Sequence, residues 1–320
     1  MGHRANYIVI ENGRESLYYS HWGANVVERD LFWGPEESLR FIRTQRKTDD
    51  WLDEVWCEGG ALLDLDRKFM KLFGGEDIKY DPYFWKAYMD LLAKSWTPWK
   101  VEWAYQGILD LARGAGVSDE TVLASRTSPR FPAELRALVF NMEGKVSSGG
   151  VLEVDGAHYT LAYELSEILP LGLSLLKALP QKPPPLFLGP EPPATGAVIS
   201  TTHKTIRLWD FTSKPMYLES LRAVWPGWRV ELEPDLALTQ CERFALLCGW
   251  SPPTAKETLQ QLKAHLLHQV ESRALTLESL RDIHGEEADI AVNPLAGEDI
   301  RPQPTVSHQD YLDRLLKELP

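Results

Sequence analysis

The strongest constraint on this chain is a match between two of its own segments, because internal similarity can decide an architecture before any single element is assigned. Gly60-Ala-Leu-Leu-Asp-Leu-Asp-Arg-Lys-Phe-Met-Lys-Leu-Phe73 aligns without gaps to Gly196-Ala-Val-Ile-Ser-Thr-Thr-His-Lys-Thr-Ile-Arg-Leu-Trp209. Each segment reads as two short strands around a polar turn, Asp66-Arg-Lys68 in one and Thr202-His-Lys204 in the other. Further on, Trp96-Thr-Pro-Trp-Lys-Val-Glu102 matches Trp225-Pro-Gly-Trp-Arg-Val-Glu231. Apolar residues at helical spacing precede both: Trp85, Tyr88, Met89 and Leu92, then Tyr217, Leu218, Leu221 and Val224. Pro98 and Pro226 end those helices, since the residue before a proline is driven out of the helical region.

A third match lies upstream, where the strand pair around Asn12-Gly13 has the plan of the pair around Asp155-Gly156. Both dipeptides suit a two-residue hairpin turn, whose central positions need positive φ. Each copy therefore reads as hairpin, helix, hairpin, helix and strand. The expectation is an α+β fold of two pseudo-repeated units with mainly antiparallel sheets, followed by a helical C-terminal region. Residues 1–115 form the first unit, 116–135 a linker, 136–240 the second unit and 241–320 the helical region. Pro180 to Pro193 holds seven prolines and reads as an extended, stiff connection. After it, Ser251-Pro-Pro opens a helix through about Ala274, and Thr276 caps a short one. Ser307 with Asp310 starts a terminal amphipathic helix bearing Tyr311, Leu312, Leu315, Leu316 and Leu319, which suits docking on its own domain or on a partner.

Composition narrows the function classes. The 46 acidic and 34 basic side chains give a net charge of −12, which argues against a duplex nucleic-acid binder, whose phosphate contacts need clustered Lys and Arg. Three cysteines, Cys57, Cys241 and Cys248, cannot make a disulfide framework and have no zinc-knuckle spacing. With no run long enough for a membrane span and no signal-peptide pattern, the expected setting is soluble, reducing and cytoplasmic.

Walker, Rossmann, H-E-x-x-H and G-x-S-x-G signatures are missing, and four weaker constellations remain. His265 and His268 share a helix face, with His284-Gly-Glu-Glu287 nearby in sequence, but the spacing suits a solvated face better than zinc. No metal and no cofactor is expected. His3, Arg4, His21 and Trp22 meet where the two ends of the first hairpin come together; they suit an anion or acid–base pocket, or a hairpin end held by local bonds and an Arg–Trp stack. Eight of twelve tryptophans precede residue 104, and among them Trp33 and Trp99 are the candidates for surface anchors. Carboxylates including Asp30, Glu36, Glu37, Asp49 and Asp50 load the first sixty residues and would steer a basic partner.

The opening Gly2-His-Arg-Ala-Asn-Tyr7, with Tyr18-Tyr-Ser-His-Trp-Gly-Ala24 and Asp30-Leu-Phe-Trp-Gly34, resembles a bacterial group to which no activity is attached. In style, an acidic, motif-poor chain of duplicated α+β units is also similar to toxin-immunity proteins. The function expected is stoichiometric protein binding, most sharply an immunity-like inhibitor that blocks a toxin with a basic active-site groove. An enzyme with a site near His3, Arg4 and His21, and a scaffold protein, are the alternatives.

Overall fold

Asn12, Gly13, Asp155 and Gly156 all adopt positive φ in the computed structural model, so each dipeptide makes the tight turn its sequence demands. The structure describes residues 3–124, 149–161, 164–180, 182–183, 185–186, 192–214, 217–268 and 301–317. Two compact units are resolved. Met1–Gly75, Asp90–Ala124 and Gln260–Pro320 belong to the first, Glu76–Met89 and Ser125–Leu259 to the second. From Gln260 onward the C-terminal helical stretch is thus counted with the first unit.

The first sheet runs β3-β2-β1-β4-β5-β6, built from β1 (Ala5–Glu11), β2 (Arg14–Ser20), β3 (Arg46–Thr48), β4 (Gly59–Asp64), β5 (Phe69–Phe73) and β6 (Lys100–Trp103). The second runs β11-β10-β9-β7-β8, from β7 (Gly150–Val154), β8 (Ala157–Leu161), β9 (Thr195–Ser200), β10 (Thr205–Asp210) and β11 (Arg229–Leu232). Leaving β3 aside, the two sheets have the same order and the same sense of pairing. In each, two antiparallel hairpins join through a parallel ladder, β1 with β4 and β7 with β9, and a last strand adds in parallel. The sheets are accordingly mixed. The expected hairpins are present, but what binds one to the next is parallel pairing across an intervening helical segment, which hairpin signals alone do not reveal.

Register follows the sequence match. Gly60 faces Phe73 as Gly196 faces Trp209, and Met70 faces Val101 as Ile206 faces Val230. The joining ladder differs: Gly60 pairs with Asn6, six residues before the turn's Asn12, whereas Gly196 pairs with Val151, four before Asp155. A two-residue slip keeps every side chain on its face, so it is tolerated where a one-residue slip would not be. It also changes how the turns are braced. In the first unit Asp66 accepts the Asn12 and Gly13 N–H groups at 2.9 and 2.7 Å, while in the second it is Asp155 of the first hairpin that accepts the Thr201 N–H at 2.9 Å.

Helical segments complete each unit. The first has α1 (Val27–Asp30), α2 (Pro35–Thr44), α3 (Pro82–Ser95, shared with the second unit), α4 (Ile108–Ala115) and α5 (Asp119–Val122). The second has α6 (Leu165–Ile168), α7 (Leu173–Ala178), α8 (Tyr217–Val224) and α9 (Leu236–Cys248). Then come α10 (Ala255–Leu267), shorter than the helix expected to reach Ala274, and α11 (His308–Lys317). Thr276, with the short helix expected there, lies outside the described residues. Burial of β4 along its whole length shows that both faces of the first sheet are covered. In the second unit, Leu152, Ile199, Ile206, Leu208, Leu221 and Trp225 are among the residues that fill the core. Trp96 and Trp225, the matched pair, are fully buried, and each indole N–H donates at 2.8 Å to a leucine carbonyl, Leu31 and Leu169 respectively.

Candidate functional site

The end of the first hairpin does gather three of its four expected residues. The His21 ring lies 4.9 Å from that of Trp22 and its Nδ1 is 2.8 Å from the Tyr19 hydroxyl, while His3 stands 6.4 Å from Trp22. His3 pairs with Glu58 at 2.8 Å. Arg4 departs from the expected cluster: its guanidinium lies over Trp56, 4.5 Å from the ring centroid.

Trp33 is not a surface anchor. Gly34 at the N-cap and Pro35 in the first turn start α2 beside it, and Glu36 and Glu37 complement the helix dipole there. The indole is only 6% exposed because His308 of α11 stacks on it at 3.6 Å with ring planes 4° apart. Tyr311 donates to the Ser95 carbonyl at 3.1 Å and Leu312 is buried, so α11 docks on its own unit. Trp99 is half-buried and packs edge-on against Trp96 at 5.3 Å.

The same C-terminal segment claims two of the expected steering carboxylates. Arg301 forks onto Asp30 with bonds of 3.1 and 3.0 Å, and burial pushes the Asp30 carboxyl up despite that guanidinium. Burial acts on Glu37 too, but hydrogen bonds from Thr305 and Arg40 outweigh it and hold its carboxyl below the usual range. Glu36, Asp49 and Asp50 are exposed.

Between α1, α2, the end of α10 and residues 301–308 of the first unit lies a cleft of about 330 Å³. Arg29, Arg40, Arg301, His268, Trp33 and His308 are among its lining residues. Burial lowers the His308 pKa, with Glu37 opposing and the charge of Arg40 adding to the fall. Nearby, Glu28 is fully buried and meets His265 Nε2 at 2.8 Å. That contact takes His265 away from the face it was expected to share with exposed His268; His284 and Glu287 lie outside the described residues. Among the described residues no three His, Cys, Asp or Glu side chains stand together as a metal site.

The feature that sequence reasoning missed is Trp56. It is 54% exposed, beside Val55 at 59%, in the loop leading to β4 that also carries Asp49, Asp50, Asp53, Glu54 and Glu58. The available signal was its position: an aromatic set inside a carboxylate-rich stretch, outside any apolar period. Asp53 Oδ1 accepts the Val55 and Trp56 N–H groups at 3.0 and 3.1 Å, and the Arg4 stack holds the indole from one side. No protein-family model, curated protein or solved structure matches the chain. No helix among the described residues is long and apolar enough to cross a membrane.

Proposed function

We propose that the chain is a stoichiometric protein-binding protein that recognises its partner through Trp56 and Val55, set in the acidic loop before β4. The observation that carries this reading is a large, half-exposed indole held on one side by a cation–π contact, on a loop whose backbone Asp53 braces. Binding hot spots are rich in tryptophan because the ring buries much area at little entropic cost, the more so when its rotamer is already fixed. Surrounding carboxylates favour a basic partner surface. In its sharpest form the function is that of an immunity-type inhibitor, occupying the basic active-site groove of a toxin. Three free cysteines suit a reducing cytoplasmic setting. The enzyme reading around His3, Arg4 and His21 has less support, because Glu58, Trp56 and Tyr19 already engage those groups.

Tagged wild-type chain, Trp56→Ala and Trp99→Ala variants would be used to isolate complexes from the native host. One partner held one-to-one by wild type and Trp99→Ala, and lost by Trp56→Ala, is the expected result. Equal retention by Trp56→Ala sinks the assignment of the surface. Protection against a toxin by substoichiometric protein sinks the inhibitor reading altogether.

A further inference from the structure

We propose that the cleft beside α1 binds an oxyanion, a phosphate or carboxylate group carried by a small ligand, with Arg29 as the principal contact. Three guanidiniums line this cleft, and two have evident partners. Arg301 forks onto Asp30, and Arg40 reaches Glu37 at 2.5 Å and the Gln303 carbonyl at 2.6 Å. Arg29 differs. Its Nε comes no nearer than 3.5 Å to Glu28 Oε1, without hydrogen-bond geometry, and that oxygen already meets His265 at 2.8 Å. Its side chain is nevertheless only 15% exposed, and its Nε is buried.

Arginine is seldom so enclosed unless its five N–H donors are satisfied. Two of the neighbouring carboxylates are engaged elsewhere, Asp30 by Arg301 and Glu37 by Arg40 and Thr305. Glu28 and Asp30 favour the Arg29 charge without filling its fork. Arg29 also lines the cleft, where about 330 Å³ of space opens. That volume suits a small organic molecule. A guanidinium fork matches the paired oxygens of a carboxylate or phosphate. The N–H groups that Arg40 does not use can add to it, and exposed His268 also lines the cleft. The Trp33–His308 stack offers a flat wall for the rest of the ligand. This site is separate from the Trp56 surface and does not depend on that reading.

The test uses the full chain labelled with ¹⁵N-tryptophan, reading the Trp33 indole N–H resonance, assigned with Trp33→Phe. Inorganic phosphate and benzoate are titrated separately, with potassium chloride at matched ionic strength as the control. A saturable shift with phosphate or benzoate but not chloride is expected, weakened about 10- to 100-fold in Arg29→Gln, the worth of a hydrogen bond to a charged group. Tighter phosphate binding assigns a phosphate ester, and tighter benzoate binding a carboxylate on a flat body. No saturable shift, one that chloride reproduces, or unchanged affinity in Arg29→Gln overturns the proposal. Should Arg29→Gln fail to fold, Arg29→Lys decides instead: it keeps the charge and loses the fork, so affinity equal to wild type overturns the proposal.

Discussion

Trp96 and Trp225 show how much one side chain settles in each unit. Each spans from the segment after a helix to a carbonyl in an earlier connection, and each carries a second tryptophan edge-on, Trp99 at 5.3 Å and Trp228 at 5.0 Å. Trp96→Phe leaves the Leu31 carbonyl without its donor and should lower unfolding free energy by about 1–3 kcal/mol in denaturant melts, with the lost ring volume adding to this. Trp99→Phe, at a half-buried ring with no such bond, should cost clearly less. Equal costs would remove the carbonyl bond from the explanation. Asp210 offers a pH test in the second unit. Its buried carboxyl is pushed up by desolvation, while hydrogen bonds from Thr212 at 2.8 and 2.5 Å and the charge of Lys214 oppose the rise, and Glu164 adds to it. Because the folded-state pKa is raised, the native state binds the proton more tightly than the unfolded chain. The stabilisation it gives is full below the unfolded value near 3.8 and is lost as pH rises through the folded value. Asp210→Asn should remove that component. The stability of wild type relative to the variant, followed by denaturant melts from pH 3.5 to 7, should therefore fall as pH rises; a flat difference would count against it.

Elements differ in how far the sequence reveals them, and the reason is range. Asn12-Gly13 and Asp155-Gly156 act within four residues, so their hairpins can be read directly. Gly60 and Gly196 align, yet only packing explains them: a Cβ would fall 2.1 Å from the Asn6 carbonyl oxygen in one and 2.3 Å from Trp209 Nε1 in the other. The parallel ladders joining hairpins, and the burial of Trp33, depend on partners far along the chain and leave no local pattern. His308 lies in a helix whose amphipathic face was legible, though nothing in that face names what it covers. If α11 is the cover of Trp33, Leu312→Ala should cost about 2–5 kcal/mol. Removing residues 301–320 should shift tryptophan emission to the red and raise acrylamide quenching, with Trp33→Phe in the truncated chain abolishing the increment. A truncated chain with unchanged quenching would mean that α11 does not shield the indole.

At the scale of the whole molecule, two sheets of one topology are put to different use. The first unit gains β3, the cover supplied by residues 301–317, the Arg29 cleft and the Trp56 loop, whereas the second keeps a five-stranded sheet among the described residues. A net charge of −12 surrounds both, but its steering power rests on carboxylates free to act. Asp30 and Glu37 are bound within the chain; Glu36, Asp49 and Asp50 are exposed. Rim charges govern encounter, and an anchored aromatic governs release. Neutralising Glu36, Asp49 and Asp50 together should slow association with the partner isolated through Trp56. The effect should be largest at low salt, because the Debye length is about 10 Å at 0.1 M and shortens as salt rises. Trp56→Ala should leave the on-rate near wild type and cost about 2 kcal/mol or more through faster dissociation. Asp30→Asn should behave differently from both, since it breaks the Arg301 fork and so lowers stability before it touches any encounter rate. Stopped-flow association across a salt series, paired with thermal melts, separates the three. If Asp30→Asn slowed association like the exposed carboxylates while the melting temperature stayed put, the Arg301 pairing would not hold in solution and the steering surface would have to be redrawn around α1.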